Sequence, residues 1–231
     1  MYHFIHIYWR LKRVSKVLPP GQMETPNWPI LHEGDVYQFD EQSWSFKLFG
    51  EVEEEIVLSY QEVMALPKTT TTVDMHCVTT WSKFDTTFEG ITLKDIISQV
   101  KLKPGVQYVR IYGYINGDRF GYSANLPLDA LMGDDSLFVY RWKDSKRDWA
   151  DISPKHGYPL RFIPPASFYL WKGTKWVSGI EFMKEDKAGY WEDRGYSMTA
   201  NPFKEERFAD ADYKPPGYFG VDEWKDQGEE S

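Results

Sequence analysis

The sequence predicts an α+β fold in which β-strands dominate and the sheets are mixed. Three observations support this prediction. Patterns typical of strands outnumber patterns typical of helices along the 231 residues. The two kinds of pattern follow one another without the regular alternation of β-α-β units. Aromatic residues, which favour strands and β-rich cores, make up 17% of the chain.

The first clear strand and helix patterns lie before residue 68. Residues 43–50 alternate apolar and polar side chains and end at a glycine, which predicts a strand. Ser59 precedes Glu62 by three positions, so the two side chains are expected to form a capping box that begins a short helix. Pro67 is expected to end this helix, because proline disfavours the helical conformation in the residue before it.

The later patterns continue the mixture of strands and helices. The threonine-rich residues 69–77 predict a strand, because Thr and Val favour extended backbone. Residues 90–100 place apolar side chains on one face after Thr92, which predicts an amphipathic helix. A short helix is expected after Pro127. Further strands are predicted at 106–114, 136–142, 158–163 and 175–183.

The chain divides into three parts by composition. Residues 1–27, in which prolines interrupt extended segments, predict an N-terminal arm. Residues 28–208 predict one domain. Residues 209–231 are charged and carry Pro and Gly, which predicts a tail that wraps the surface or lacks fixed structure.

Composition argues against several classes of protein. The net charge is −8 and the domain has no basic stripe, so no nucleic-acid partner is expected. No apolar run reaches the roughly 18–20 residues of a membrane-spanning helix. The start lacks the order of a signal peptide, and one cysteine cannot form an internal disulfide. Together these features favour the reducing cytoplasm.

The single cysteine, Cys77, allows three interpretations. It could be structural, since cysteine is among the most buried residue types. Paired in space with His156, it could be a nucleophile. As a thiolate, it could bind a soft or high-valent metal as the sole protein ligand, with a cofactor supplying the other ligands. Zinc is a poor fit, because His76 and Cys77 are adjacent on a predicted strand and point to opposite faces.

Two motifs in the second half of the domain suggest anion binding. HGYPLRF contributes His156 and Arg161. WKGTKW places Gly173 and Thr174 between two lysines, so backbone N–H groups and positive charge could meet a phosphate. The alternative for the second motif is a turn with solvated lysines.

Five motifs occur in the order VDMHCVTTWSKFDTTFEGITLKDII, GYSANLPLDAL, HGYPLRFIPP, WKGTKWVSGIEF and GYWEDRGY. Together they resemble the molybdopterin-binding oxidoreductase domain of the sulfite oxidase superfamily, especially its small single-domain members. The resemblance covers roughly residues 18–208. It implies a sulfite oxidase-type fold. It also implies a molybdenum bound through one pyranopterin dithiolene and one protein cysteine, so Cys77 is expected to be the metal ligand.

The resemblance assigns further roles by position. Tyr196 matches the active-site tyrosine of sulfite oxidases, whose phenol can hydrogen-bond a bound oxyanion and assist proton movement. Lys83 is expected to face the substrate. The residues expected to bind the molybdenum cofactor are His32, His76, Ser123, His156, Arg161, Lys172, Gly173, Thr174 and Lys175.

The sequence departs from sulfite oxidases around the substrate. Those enzymes carry arginines four and five residues after the cysteine, where this chain has Trp81 and Ser82. One positive charge would hold a dianion poorly, so a neutral or aromatic-edged substrate near Trp81 and Trp171 is expected. The implied reaction is a two-electron oxygen-atom transfer on a small sulfite-like, sulfoxide-like or N-oxide-like molecule. Electrons are expected to be exchanged with a separate protein.

Two functions from other classes stay open at this point. One is acyl transfer by a cofactor-free enzyme with a Cys77–His156 pair. The other is a non-catalytic binding module rich in aromatic residues, for example one for sugars.

Overall fold

The computed structural model describes residues 16–210 and 212. Its two α-helices are α1 (Tyr60–Ala65) and α2 (Leu93–Ile97). Short 3-10 turns lie at Asp129–Leu131, Pro154–His156, Leu170–Lys172, Glu192–Arg194 and Pro202–Lys204. In chain order, the strands are β1 (Met23–Glu24), β2 (Ser45–Gly50), β3 (Ile56–Ser59), β4 (Thr69–His76), β5 (Trp81–Ile91), β6 (Tyr108–Ile115), β7 (Asp118–Pro127), β8 (Leu137–Lys143), β9 (Ala150–Asp151), β10 (Arg161–Ile163) and β11 (Val177–Met183).

The strands form two mixed sheets. The first has the order β1-β5-β8-β10, with β4 also paired to β5 and β9 to β8. Only β1 is parallel to its neighbour in this described sheet. The second has the order β3-β2-β11-β6-β7, in which β11 runs parallel to β2 and the other pairs are antiparallel. This topology confirms the prediction of an α+β, β-rich mixed fold.

Local side-chain chemistry sets the ends of the helices. The predicted capping box is confirmed, since Glu62 N–H donates to the Ser59 hydroxyl and Ser59 N–H donates to the Glu62 carboxylate at 2.7 Å. Thr92 caps α2 by accepting from Asp95 N–H at 3.1 Å. The second helix is shorter than the predicted 90–100, because the first residues of that stretch complete β5.

The main core lies between the two sheets. Phe138 of β8 lies at its centre, fully buried, with its ring centroid 6.1 Å from that of Phe46 and 4.9 Å from that of Phe162. Phe46 belongs to the other sheet, so these contacts join the two layers. The packed aromatics therefore fix how the strand ends of the first sheet meet the second.

The two ends of the described chain pack against the domain. Met23 and Glu24 pair with Trp81 and Ser82 of β5, so the described part of the predicted arm lies along the first sheet. Near the other end, Tyr196 and Phe208 form an isolated bridge. Residues 1–15 of the arm and nearly all of the tail 209–231 lie outside the described residues, and the boundaries at 27 and 208 remain predictions.

None of the helices in the described part of the chain has the length and apolar character needed to cross a bilayer.

The core contact between the sheets gives the first prediction. We expect Phe138→Ala to lower the free energy of unfolding by about 3–5 kcal/mol, because it removes a buried ring from both layers at once. Urea denaturation measures the change. Val57→Ala, at a position that is 56% exposed, is the control and should have little effect. A small effect of Phe138→Ala would contradict this account of the core.

Candidate active site

A cavity of about 390 Å³ opens where the two sheets meet. Its wall comes from strand ends and connecting loops that are distant in sequence. This volume falls in the range of small-molecule and cofactor sites. The segments that contribute side chains are 29–33, 77–81, 114–122, 161, 170–176 and 191–196.

Cys77 lies on this wall in a tight turn between β4 and β5. Thr80 N–H donates to the Cys77 carbonyl at 3.1 Å, and Cys77 N–H donates to the Trp81 carbonyl at 2.8 Å. The side chain is free of any disulfide and is 7% exposed. Burial raises the pKa of the thiol, while the Thr79 hydroxyl and two nearby arginines lower it. The turn thus presents a single sulfur to the cavity.

A buried hydrogen-bond network is joined to the main-chain carbonyl of this turn. Gln22 donates its side-chain amide to the Cys77 carbonyl at 3.0 Å, and Ser82 donates to the Gln22 amide oxygen at 3.2 Å. His76 Nδ1 lies 2.8 Å from the Ser82 hydroxyl. The imidazole therefore belongs to this network. Adjacent residues of a strand point to opposite faces, so His76 points away from the face that carries the Cys77 side chain. Burial lowers the pKa of His76 to about 4, which keeps the ring neutral.

The C-terminal part of the described chain holds the same turn. Arg207 donates to the Val78 carbonyl, and its guanidinium carbon lies 5.0 Å from the Tyr169 ring centroid. Neither Gln22 nor Arg207 was predicted from the sequence to support the site. They are 55 and 129 residues from their partners, so no local pattern could have indicated these contacts.

Two cations lie on the cavity wall, the buried Arg161 and the partly buried Lys175. Arg161 donates to the His156 carbonyl at 2.8 Å, and Lys175 donates to the Lys155 carbonyl at 2.5 Å. Within the described residues, neither cation has a carboxylate partner. Burial lowers the pKa of Arg161 to about 10. Burial, with the charge of Arg161, lowers that of Lys175 well below its usual range. An anion between them would relieve both effects.

His156 supports the cation end of the cavity without lining it. Its ring stacks on Trp28 at 4.1 Å, and Arg161 lies 4.8 Å above the same indole. Burial and the nearby cations lower the pKa of His156 to about 2, so its ring is neutral. Among the described contacts, no hydrogen bond joins His156 to Cys77. The described geometry therefore gives no support to a Cys77–His156 nucleophile pair.

The wall beside these groups is largely aromatic. Trp171 and Trp191 lie 5.1 and 5.0 Å from Tyr196, measured between ring centroids. Trp81 also lines the cavity, as predicted. Trp171 is held at both ends: its indole N–H donates to Glu192 at 3.1 Å, and its carbonyl accepts from the Tyr122 hydroxyl at 2.7 Å. The aromatic wall is therefore rigidly positioned.

Besides Cys77, five of the predicted site residues line the cavity. They are His32, Arg161, Gly173, Lys175 and Tyr196. Gly173 needs to be glycine here, because an added Cβ would meet the Phe162 carbonyl oxygen at 2.8 Å. His32 donates from Nδ1–H to the Gly34 carbonyl at 2.9 Å, which restricts its ring at the edge of the cavity.

Two lysines predicted to lie in the site, Lys83 and Lys172, do not line the described cavity, because each is paired with a buried carboxylate elsewhere. Lys83 forms a buried ion pair with Asp144 at 2.7 Å and donates to the Pro26 carbonyl, so its ammonium does not face a substrate. Lys172 is fully buried and lies 2.6 Å from Glu192 and 2.8 Å from Asn125. A buried ammonium needs such a partner, and each carboxylate supplies it.

Two hydroxyl residues predicted to bind the cofactor also lie outside the described lining. Thr174 is buried and donates to the Ile111 carbonyl at 3.2 Å. Ser123 pairs with Tyr112 across β6 and β7, and its carbonyl accepts from Tyr190 N–H at 2.8 Å. Both hold neighbouring segments of the wall in place.

A family model described as the oxidoreductase molybdopterin binding domain matches residues 33–191, which is more than half of the chain. The chain belongs to this family. The match includes Cys77, both cavity cations and the aromatic residues up to Trp191. The chain is therefore an oxidoreductase domain of the molybdopterin-binding kind, as the sequence motifs indicated.

Two curated relatives are similar to the chain in sequence, and one solved structure is similar to it in fold. The chain is 36% identical to the oxidoreductase YuiH of Bacillus subtilis over 83% of this chain and 91% of that protein. It is 25% identical to the protein-methionine-sulfoxide reductase catalytic subunit MsrP of Campylobacter jejuni, over 71% of this chain and 59% of MsrP. The sulfane dehydrogenase SoxCD of Paracoccus pantotrophus has a similar fold, with a TM-score of 0.58 and 17% identity over 68% of this chain and 42% of the SoxCD chain.

The cavity suits the anionic, sulfur-bearing cofactor of this family. Cys77 offers one thiolate, and Arg161 and Lys175 offer two charges without carboxylate partners in the described chain. The buried Nε of Arg161, a lining residue, has no hydrogen-bond partner among the described residues. Buried polar groups normally have partners, so this atom marks a place where a polar ligand fits.

The buried Lys172–Glu192 pair gives the second prediction. In protein made without cofactor, we expect Lys172→Ala to lower the free energy of unfolding by about 3–5 kcal/mol, because it leaves Glu192 charged and buried. Chemical denaturation of the cofactor-free protein measures this. Lys101→Ala, at an exposed ion pair with Glu53, is the control and should change stability little. Equal effects of the two variants would show that Lys172 is not a structural residue.

Proposed function

We propose that this domain binds molybdenum-molybdopterin and reduces a small neutral sulfoxide or N-oxide by two-electron oxygen-atom transfer. A separate protein supplies the electrons. The observation that carries the proposal is the composition of the described cavity wall. Two lining side chains, Arg161 and Lys175, are basic and suit the cofactor, and the aromatic side chains of Trp81, Trp171 and Tyr196 offer a substrate no charge.

Cys77 is proposed as the protein ligand to the metal. Arg161 and Lys175 hold the anionic part of the cofactor, and Gly173 contributes main chain to the same wall. His32 closes the same end of the cavity. When bound, the cofactor supplies the exchange of two electrons and the oxygen-atom transfer. The protein supplies ligation, orientation and exclusion of water.

Tyr196 is proposed to act on the oxygen of the substrate. Reduction of a sulfoxide consumes two electrons and two protons and releases the sulfide and one water. The Tyr196 phenol can donate a hydrogen bond to the oxygen that leaves, and so assist its protonation. Trp81 and Trp171 pack against the substituents on sulfur and exclude bulk water from the reacting atoms.

The charge on the wall favours a neutral substrate over an anion. If the two cations are neutralised by the cofactor, Glu33 is the charged side chain that remains on the described lining. A sulfite dianion buried there would lack a compensating cation, at a cost of several kcal/mol. The relationship to MsrP, a methionine-sulfoxide reductase, also supports a sulfoxide-like substrate.

The proposal leaves supporting roles for the other predicted residues. His76, Ser123, His156, Lys172 and Thr174 hold the segments that carry the site, and Lys83 ties β5 to the loop that follows β8. A cytoplasmic location remains a prediction that the unpaired Cys77 supports.

Cofactor retention gives the third prediction. Protein made in a host that synthesises molybdopterin should contain about one molybdenum per chain by elemental analysis. We expect Cys77→Ser to lose nearly all of it. Arg161→Ala and Lys175→Ala should retain roughly tenfold less, because each leaves the anionic cofactor with one charge-assisted contact fewer.

The control for these variants is Lys184→Ala, which changes a lysine that is 51% exposed and pairs with Glu51. It should retain molybdenum like the wild type. Normal molybdenum content in Cys77→Ser would exclude Cys77 as the ligand.

Substrate preference gives the fourth prediction. With reduced viologen as electron donor, the loaded wild type should reduce dimethyl sulfoxide or methionine sulfoxide. With ferricyanide as acceptor, it should oxidise sulfite at least tenfold more slowly. Tyr196→Phe should lower kcat for the sulfoxide by roughly 10²-fold, the lower end of general acid catalysis, without loss of molybdenum. Faster turnover of sulfite than of either sulfoxide would overturn the proposed substrate class.

A further inference from the structure

Thr79 directs a hydrogen-bond donor at the sulfur of Cys77. Its hydroxyl donates to Cys77 Sγ at 3.2 Å. The threonine side chain lies on the cavity wall and is 6% exposed. No sequence motif pointed to this residue. The Thr79 hydroxyl is thus a buried side-chain donor to this sulfur.

The surrounding turn holds Thr79 in this position. Thr80, the next residue, has a φ of +76°, which a residue with a branched side chain adopts only when its surroundings require it. Its carbonyl accepts from Met23 N–H of β1 at 2.8 Å. With Gln22 on the Cys77 carbonyl and Arg207 on the Val78 carbonyl, the turn is fixed before any ligand binds.

The hydrogen bond from Thr79 is stronger when the acceptor sulfur of Cys77 carries negative charge. A thiol sulfur is a weak acceptor, whereas hydrogen bonds to an ionised group are roughly twice as strong as neutral ones. Hydrogen bonds to metal-bound sulfur withdraw electron density from the metal and are a recognised determinant of its reduction potential. The Thr79 hydroxyl is therefore placed to act through Cys77 on whatever metal the sulfur binds.

We propose that Thr79 is a positioning residue that raises the reduction potential of the metal held by Cys77, through its hydroxyl hydrogen bond to the ligand sulfur. The inference rests on the proposed function, in which Cys77 binds molybdenum. A higher potential eases electron uptake from the donor protein. It also reduces the driving force for transfer to substrate, so the hydroxyl sets the balance between the two half-reactions.

The test compares three replacements of Thr79 in the cofactor-loaded protein. Thr79→Val keeps the shape of the side chain and removes the hydroxyl. Thr79→Ala removes the hydroxyl without putting the second methyl group of valine in its place. Thr79→Ser keeps the hydroxyl. The readout is the midpoint potential of molybdenum in the absence of substrate, from a redox titration followed by electron paramagnetic resonance. A matched control is Thr72→Val, an exposed position on β4 whose hydroxyl bonds Thr87.

We expect a lower potential in Thr79→Val and Thr79→Ala than in the wild type, and wild-type values in Thr79→Ser and Thr72→Val. Unchanged potentials in the two hydroxyl-free variants would overturn the inference and leave the proposed function intact. Loss of molybdenum from those two variants would also overturn the inference, because the hydroxyl would then be needed to retain the metal and would not act by setting its potential. A wild type that takes up no molybdenum would overturn the proposed function and this inference with it.

Discussion

The site depends on one constraint, which is that a single sulfur must be presented to a buried cavity in a fixed direction. The turn after β4 meets this constraint with hydrogen bonds from three separate parts of the chain. Gln22 and β1 hold it from one end, Arg207 holds it from the other, and its own Thr80 N–H closes it. The contacts from Gln22, β1 and Arg207 have large sequence separations, so the turn is fixed only when β1 and the C-terminal part of the described chain have packed against it. The fold is thus a precondition for the chemistry of Cys77.

The cationic side chains discussed above fall into two groups. One group has a structural role, and the other is available to bind a ligand. Lys83 and Lys172 each have a carboxylate partner within 2.7 Å. Arg161 and Lys175 have only main-chain carbonyl partners among the described residues. A buried cation is costly without an opposite charge. The first two lysines are therefore satisfied by the fold itself, and the second pair remains available to an anionic cofactor.

The sequence predicted much of the fold because its signals there are local. The Ser59–Glu62 capping box, the Thr92 cap and the alternating strand at 43–50 act within a few residues, and all three are present. The position of Cys77 in the cavity followed from ordered motifs. The partners of Lys83 and Lys172 could not be predicted, because Asp144 lies 61 residues from Lys83 and Glu192 does not adjoin Lys172 in any local pattern. Lys172 and Lys175 look alike in the sequence, and only the fold distinguishes them.

The aromatic wall is held by a buried ion pair, and this bears on the proposed substrate. Trp171 is held through Glu192, and Glu192 is held by Lys172, so the buried ion pair fixes the indole that faces the cavity. A strongly hydrated anion would bind poorly against these aromatic rings, because it would lose its water without acquiring a partner of opposite charge. A neutral sulfoxide loses much less on entry, and it brings one polar oxygen that the Tyr196 phenol can bind. On the proposed function, the cofactor neutralises the two cations, and the protein then selects its substrate by the absence of further positive charge.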